Sequence, residues 1–308
     1  MDPAERNVII RAKGKDDYVF SGLEKEGNYM LIPYRDKNLL LRLLREAWFR
    51  LHLPARKIWY NPEIKKLRTD SITICDPLIT PDFLEWICDL FPDVSFVVNY
   101  SNRVSRSGIK PSDVKRPNLR YQSFDLQDCE QYGMDYAHAA YMAQYSFSPE
   151  DKSEPEYDIV FVGRDKGRAE AILKWEKVFN EMGLRTYFRI CADRSYLRFK
   201  KPYYKKEIPY PEYIELLKKT RAHLNYVQDG QTSFSQRDLE SVFDEVKCVT
   251  NNKGIRSFEL YHPSRFFILD EDDLDTLPHF LHEPFVPVSK EQLSEYGTTK
   301  TEEQDETK

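Results

Sequence analysis

Hydrophobic and polar positions follow two periods along this chain, and the second half shows both most clearly. Tyr157–Val162 (YDIVFV) is a short continuous apolar run stopped at Gly163, the pattern of a buried parallel strand. From Arg168 to Met182 the period changes: Ala171, Ile172, Trp175, Val178 and Phe179 share one helix face, and Gly183 is placed to end the helix. Strands are predicted at Thr186–Cys191, His223–Tyr226, Lys247–Thr250 and Phe266–Leu269, with helices at Pro211–Thr220 and Ser235–Phe243. Ser235 and Asp238 have the spacing of a capping box. Strand and helix alternate, which predicts an α/β fold with a parallel sheet covered on both faces.

The first half repeats the theme. Val8–Arg11, Tyr29–Ile32, Ser71–Cys75 and Ser95–Asn99 read as strands, and Asn38–His52, Pro81–Leu90 and Gln127–Gln144 as helices, the last interrupted at Gly133. The polar segment Ser146–Glu156, with two prolines, reads as a linker. The expected organisation is two α/β domains of about 150 residues each, 1–148 and 149–296. A tail at 297–308 without apolar residues is expected to be disordered.

Composition narrows the function. Hydrophobic residues at 41% and aromatics at 14% fit a folded protein, and a net charge of −5 gives no support to general nucleic-acid binding. Five scattered cysteines without a CxxC pair fit reduced thiols, not a zinc site. No apolar run approaches the roughly 20 residues that span a bilayer, and the N-terminus lacks a signal-peptide pattern. The expected location is cytoplasmic, with room for peripheral contact at the inner face of the membrane.

Three segments carry candidate chemistry. The loop GRDKGR (163–168) follows a strand and opens a helix. Gly163, Arg164, Lys166 and Arg168 there would meet a diphosphate at the carboxyl end of the sheet, helped by the helix N-terminus. Its glycines are four apart, so it is neither GxGxxG nor a Walker loop. The second segment, Val227–Asn252, offers Gly230, Gln231, Thr232 and Ser235 before a helix on which Arg237 and Glu240 lie three apart on one face. A glutamate suits ribose hydroxyls and an arginine a diphosphate, so a nucleotide is the simplest shared ligand. The third, Asn38–Lys57, is amphipathic and basic. Leu40, Leu44, Ala47, Trp48 and Leu51 form an apolar stripe, with Arg42, Arg45 and Phe49 opposite. That face suits anionic headgroups, and the competing reading is a helix packed on the sheet by its leucines. The acidic run DEDDLD (270–275) reads as helix-start acidity, and no metal site is expected.

YDIVFVGRDKGR, PYPEYIELLKKTRAHLNYVQDGQTSFSQRDLE and KCVTNN with FELYHPSRFFIL resemble the C-terminal half of bacterial glycosyltransferases encoded in capsule and lipopolysaccharide gene clusters. FVVNYSNRV and SFDLQDCEQYGMDY extend the likeness into the first half, over most of residues 70–270. The resemblance implies a GT-B-like architecture, two Rossmann-like domains facing a cleft, with the nucleotide sugar on the C-terminal side. It also implies Glu240 at the donor ribose and no cofactor beyond the nucleotide-sugar co-substrate. The second glutamate of the retaining subset, eight positions earlier, is replaced by Thr232, so the stereochemical outcome stays open. A general base for the acceptor hydroxyl is sought at Asp76, Asp125, Asp128 or His138, where Asp125 would alternatively cap a helix. The expected activity is sugar transfer to a polysaccharide or lipid-linked glycan. A nucleotide-sugar epimerase and a non-catalytic nucleotide-sugar or glycan-binding module stand beside it.

Overall fold

Short β-branched and aromatic runs in each half of the chain pair side by side in parallel, leaving helices to carry the chain back between strands. The computed structural model describes residues 7–12, 27–35, 38–138, 141, 145–193, 195–228, 231, 233–294 and 296. The chain divides into two compact units, Met1–His138 and Ala139–Lys308. Gly230, Thr232 and the tail from residue 297 lie outside the described residues.

In the first unit, β1 (Val8–Ile10), β2 (Tyr29–Leu31), β3 (Ser71–Cys75), β4 (Ser95–Tyr100), β5 (Leu119–Ser123) and β6 (Asp135–Tyr136) form one sheet in the order β2-β1-β3-β4-β5-β6. Every pairing in it is parallel. Helices α1 (Leu39–Arg50), α2 (Pro81–Leu90) and α3 (Leu126–Tyr132) accompany it. Thr80 caps α2, which buries Phe83, Leu84, Ile87 and Cys88 against the sheet. The helix predicted over 127–144 ends at Tyr132. Gly133 takes a left-handed φ of 64°, closing the helix on Cys129 O, and the chain turns straight into β6. Residues 139, 140 and 142–144 of that predicted helix lie outside the described residues.

Helix α1 presents the opposite face from the one its periodicity suggests. Arg45 is 3% exposed, its guanidinium 4.3 Å from the Tyr34 ring, and Phe49 packs edge-on against the same ring at 5.5 Å. With that side turned inward, Leu40 (65% exposed), Leu44 and Leu51 (68%) face outward, joined by Leu39, Leu43 and Ile58. Of the three predicted membrane contacts, only Arg42 is therefore on the surface, paired with Glu46 at 3.0 Å. The reversal has a local cause: a guanidinium stacked on aromatic faces can be buried without losing its electrostatic partner.

In the second unit, β7 (Tyr157–Arg164), β8 (Thr186–Cys191), β9 (Tyr204–Lys205), β10 (Thr220–Asn225), β11 (Lys247–Thr250) and β12 (Phe266–Ile268) are ordered β12-β11-β10-β7-β8-β9, all parallel. Helices α4 (Ala169–Glu181), α5 (Tyr210–Leu217), α6 (Gln236–Phe243), α7 (Leu277–His282) and α8 (Lys290–Ser294) complete the unit. This is the doubly wound Rossmann order, with its reversal between β7 and β10. Alternate strand residues feed two cores: Ile159, Phe161, Leu224 and Phe267 with α4 and α7, Cys248, Phe266 and Ile268 with α6. Gly183, at φ 78°, ends α4 as its sequence position implies. The segment read as a linker is fastened to this unit, since Ser146 Oγ and Phe147 N donate to Asp244 and Lys152 Nζ to Glu245 O.

Candidate functional site

In a doubly wound sheet, ligands lie beyond the carboxyl ends of the strands where the winding reverses. For the second sheet that point lies between β7 and β10, so the loops that follow them are the two singled out from the sequence. Two arginines tie them together. Arg168, at the start of α4, donates to Tyr226 O after β10 and to Arg164 O at 2.9 Å. Arg237, on α6, donates to Val162 O of β7 at 2.6 Å.

Within the first loop, Lys166 and Gly167 both have positive φ, 50° and 83°, giving a tight turn into α4. The Asp165 carboxylate receives Ala169 N at 2.8 Å and the Tyr204 hydroxyl at 2.5 Å. Burial works against its charge, but these donors and the N–H groups of Arg168 and Gly167 hold its pKa below the ordinary range. The helix N-terminus expected to face a diphosphate is thus already met by an internal anion. Two cations stand beside it: Arg164, nearly half exposed and paired with Glu207 at 3.0 Å, and Lys166, whose backbone N–H bonds Asp193.

Beyond β10, polar residues fix the second loop. Val227 N donates to Asn251 Oδ1 at 2.6 Å, Thr250 Oγ1 to Asn225 O at 2.8 Å, and Asn252 Nδ2 to Ser233 O at 3.3 Å. Ser235 and Asp238 form the capping box foreseen for α6, and Asn225 Nδ2 reaches Asp238 Oδ1 at 2.7 Å. Gln231, half-buried, donates its N–H to Gln228 O at 3.0 Å. Asn225, Asn251, Asn252 and Asp165 were not foreseen as site residues, and Arg168, expected to meet a diphosphate, instead ties the two loops together. Asparagines directly after strand ends were the available signal, because a side-chain amide there can mimic a backbone turn.

Glu240 and Arg237 share a helix face, but both turn into the protein. Glu240 is buried, with Oε1 receiving the Tyr210 hydroxyl at 2.9 Å and Oε2 that of Tyr213 at 3.1 Å. Burial raises its pKa, opposed by the Arg237 charge and the two hydroxyls. Arg237 lies between the rings of Phe161 and Tyr213, 5.6 and 5.8 Å away. In this arrangement both groups brace α6 against α5 and β7.

In the first unit the winding reverses between β1 and β3, and Asp76 follows β3 at that point. Two of the three candidate carboxylates, Asp76 and Asp128, bond the loop 101–107. Ser101 N donates to Asp76 at 2.7 Å and Val104 N to Asp128 at 2.7 Å, while Arg103 Nη2 lies 3.8 Å from the other Asp128 oxygen. Asp125 caps α3 by accepting Asp128 N at 3.0 Å, and its Oδ2 is buried with no hydrogen-bond partner among the described residues. All three are buried, and burial raises the pKa of Asp76 and Asp125. His138 is exposed, with Nδ1 3.3 Å from the Tyr136 hydroxyl. In the acidic run, Glu271 and Asp272 pair with Arg256 at 3.2 and 2.6 Å, and Asp273 caps the following 3-10 turn. No three His, Cys, Asp or Glu side chains gather as a metal ligand set among the described residues.

No family model matches this chain, and no curated protein matches it in sequence. Among solved structures it is similar to AviGT4, a glycosyltransferase involved in avilamycin A biosynthesis. The TM-score is 0.56 at 14% identity, over 90% of this chain and 88% of that one. It is also similar to the DNA-modifying enzyme β-glucosyltransferase, solved with and without its substrate uridine diphosphoglucose. There the TM-score is 0.53 at 12% identity, over 90% and 89% of the two chains. At such identities the likeness is one of fold: two parallel Rossmann-like sheets of the GT-B type.

Proposed function

We propose that the chain is a glycosyltransferase that moves a sugar from a nucleotide-activated donor to a polysaccharide or lipid-linked glycan. The carrying observation is the cross-linked pair of loops at the β7/β10 reversal, with Arg164 and Lys166 beside it. The GT-B fold it shares with two glycosyltransferases supports the same reading. In this reading Arg164 and Lys166 meet the departing diphosphate. Gln231 and the loop around it hold the nucleoside. The first unit takes the acceptor, whose hydroxyl gives its proton to a carboxylate. Asp76 is the best placed of Asp76, Asp125 and Asp128, because it stands at the reversal of its own sheet and burial moves its pKa toward the range of a working base. Capsule or lipopolysaccharide assembly is the proposed setting, at the cytoplasmic face of a membrane. The outward leucines of α1, with Arg42, are the proposed contact with it. No helix among the described residues is long and apolar enough to cross a bilayer.

Thermal-shift screening with UDP, GDP, CMP and their sugars identifies the donor. Replacing Arg164 and Lys166 together by Ala should then weaken binding of that nucleotide by about tenfold to a hundredfold in calorimetry, the loss of one or two charge-assisted contacts. Unchanged affinity overturns the diphosphate assignment. Donor turnover without acceptor would favour an epimerase, and nucleotide binding without turnover on any acceptor would favour a binding module.

A further inference from the structure

Residues 199–206, FKKPYYKK, hold four lysines and no acid in a chain whose net charge is −5. They lead from the end of the 3-10 turn Ser195–Lys200 into edge strand β9, at the carboxyl end of the second sheet. Tyr204 N donates to Lys201 O at 3.2 Å, closing a turn whose ends stand less than about 7 Å apart. The turn sets Lys200 and Lys201 close to Lys205 and Lys206, and all four are exposed with no ion pair among the described residues. Arg189 adds its charge from β8, donating to Lys206 O at 2.9 Å. The carboxylates around the segment are engaged. Asp165 accepts from Tyr204, Glu207 pairs with Arg164 and Asp193 accepts Lys166 N. Burial raises the pKa of Glu176, and Lys205 opposes the rise. Next to the lysines, the Phe199 side chain is 82% exposed.

We propose that residues 199–206, with Arg189, form a subsite for an acidic glycan. The cations meet its repeated negative charges, and the exposed Phe199 ring stacks on the C–H face of a sugar. The proposal rests on the reading of a glycan acceptor and names its chemical class. Bonds from Tyr204 to Asp165 and from Arg164 to Glu207 tie the segment to the loop read as meeting the donor diphosphate, so it is placed for acceptor sugars beyond the one that reacts. Charge selects a polyanion over a neutral chain, because ammonium groups crowded on one turn repel one another until anions come between them. The aromatic side of the patch separates glycan from other polyanions. Single-stranded nucleic acid is held by successive stacking rings. Here Tyr203 and Tyr204 are half-buried and pack edge-to-face at 4.8 Å, so Phe199 is the widely exposed ring of the segment. A lipid surface is entered by a broad apolar face. Phe199 and Val286 are the exposed large apolar side chains of the second unit among the described residues. One phenyl ring supplies less apolar area than a single acyl chain, which by itself binds membranes only marginally.

The test is calorimetry with oligogalacturonate, its methyl ester and a phosphomannan. The ester keeps the sugar backbone and removes the charge, while the phosphomannan supplies charge as phosphate in place of carboxylate. Oligogalacturonate, the phosphomannan or both should bind about tenfold or more tighter than the ester. Lys200→Ala, Lys201→Ala, Lys205→Ala and Lys206→Ala combined should weaken that binding by about tenfold to a hundredfold, at up to about fivefold for each exposed charge contact. Phe199→Ala should weaken it by about fivefold, the loss of one stacking face. Circular dichroism checks that the variants fold, and the thermal shift given by the donor nucleotide should not move, since these side chains stand outside the two loops at the β7/β10 reversal. If the combined variant does not fold, Lys200→Ala with Lys201→Ala, and Phe199→Ala, decide. Equal affinity for the ester, or unchanged affinity in the lysine variants, overturns the proposal. So does tighter binding of a single-stranded oligonucleotide of matched charge, or of phosphatidylglycerol vesicles, that is lost on the same changes. Acidic-glycan binding of the expected pattern without any nucleotide shift or sugar transfer would leave this subsite standing and overturn the transferase reading. Nucleotide binding with transfer to neutral glycans alone would do the reverse.

Discussion

Asp244, at the C-terminal end of α6, is the group whose titration should be most visible in stability. Its Oδ1 receives the Tyr141 hydroxyl at 2.7 Å, Ser146 Oγ at 3.0 Å and Phe147 N at 3.3 Å, while Oδ2 is buried without a hydrogen bond among the described residues. Burial, reinforced by the nearby Glu240 charge, pushes its pKa from 3.8 up to about 7. The folded protein therefore keeps a proton that the unfolded chain releases above about pH 4. The stability from this group is complete below that pH and is lost as pH rises through about 7. A shift of about three pH units corresponds to about 4 kcal/mol at most. Asp244→Asn removes the charge and keeps one oxygen for the three donors, but buries an amide N–H₂ at a cost of about 1–3 kcal/mol. Asparagine should thus destabilise by about 1–3 kcal/mol near pH 4 and stabilise by a similar amount near pH 8. Urea unfolding of both proteins across that range, followed by fluorescence and circular dichroism, measures the difference. If the wild-type minus variant difference does not change sign or slope between these limits, the account of a buried, uncompensated carboxylate is wrong. The site is linked to function through α6, whose opposite end carries the Ser235 cap at the β7/β10 reversal.

Two further outcomes separate binding roles from packing roles. Glu240→Ala removes the carboxylate that accepts from two buried tyrosine hydroxyls and should cost about 2–4 kcal/mol in chemical denaturation, with Glu240→Gln milder; full stability with weakened nucleotide affinity would instead place Glu240 on the ribose. Arg45→Ala should destabilise by about 1–3 kcal/mol, through loss of the stacking on Tyr34, whereas Arg42→Ala should stay within about 0.5 kcal/mol; equal thermal shifts for the two would contradict the observed orientation of α1.

Apolar runs and a change of period made elements of both units legible. Ser71–Cys75, Pro81–Leu90, Thr186–Cys191 and Lys247–Thr250 form the elements predicted over those residues. Strands β5, β6 and β9 were not foreseen. LRYQS carries little period-2 signal, and the other two are only two residues long, held by a neighbouring strand more than by their own composition. The two loops at the β7/β10 reversal were also visible, because glycines and cations after a strand mark a turn at the sheet's ligand end. Their internal bonding was not. That Asp165 takes the first-turn N–H groups of α4, or that two tyrosines take both oxygens of Glu240, depends on partners far along the chain.

Local pattern by itself determined the alternation of strand and helix, the capping of α6 by Ser235 and Asp238, the stop of α4 at Gly183 and the position of both basic and polar loops. These depend on backbone sterics and on side chains within a few residues of one another. Tertiary structure decided the order of the strands, and so which loops meet at the reversal. It also decided which face of each helix is buried. For α1 that choice went against periodicity, because Tyr34 offers Arg45 an aromatic face that a hydrophobic count along the helix cannot register. The same reason governs Glu240: the spacing of Arg237 and Glu240 put them on one face, but only packing against Tyr210 and Tyr213 determined that the face looks inward.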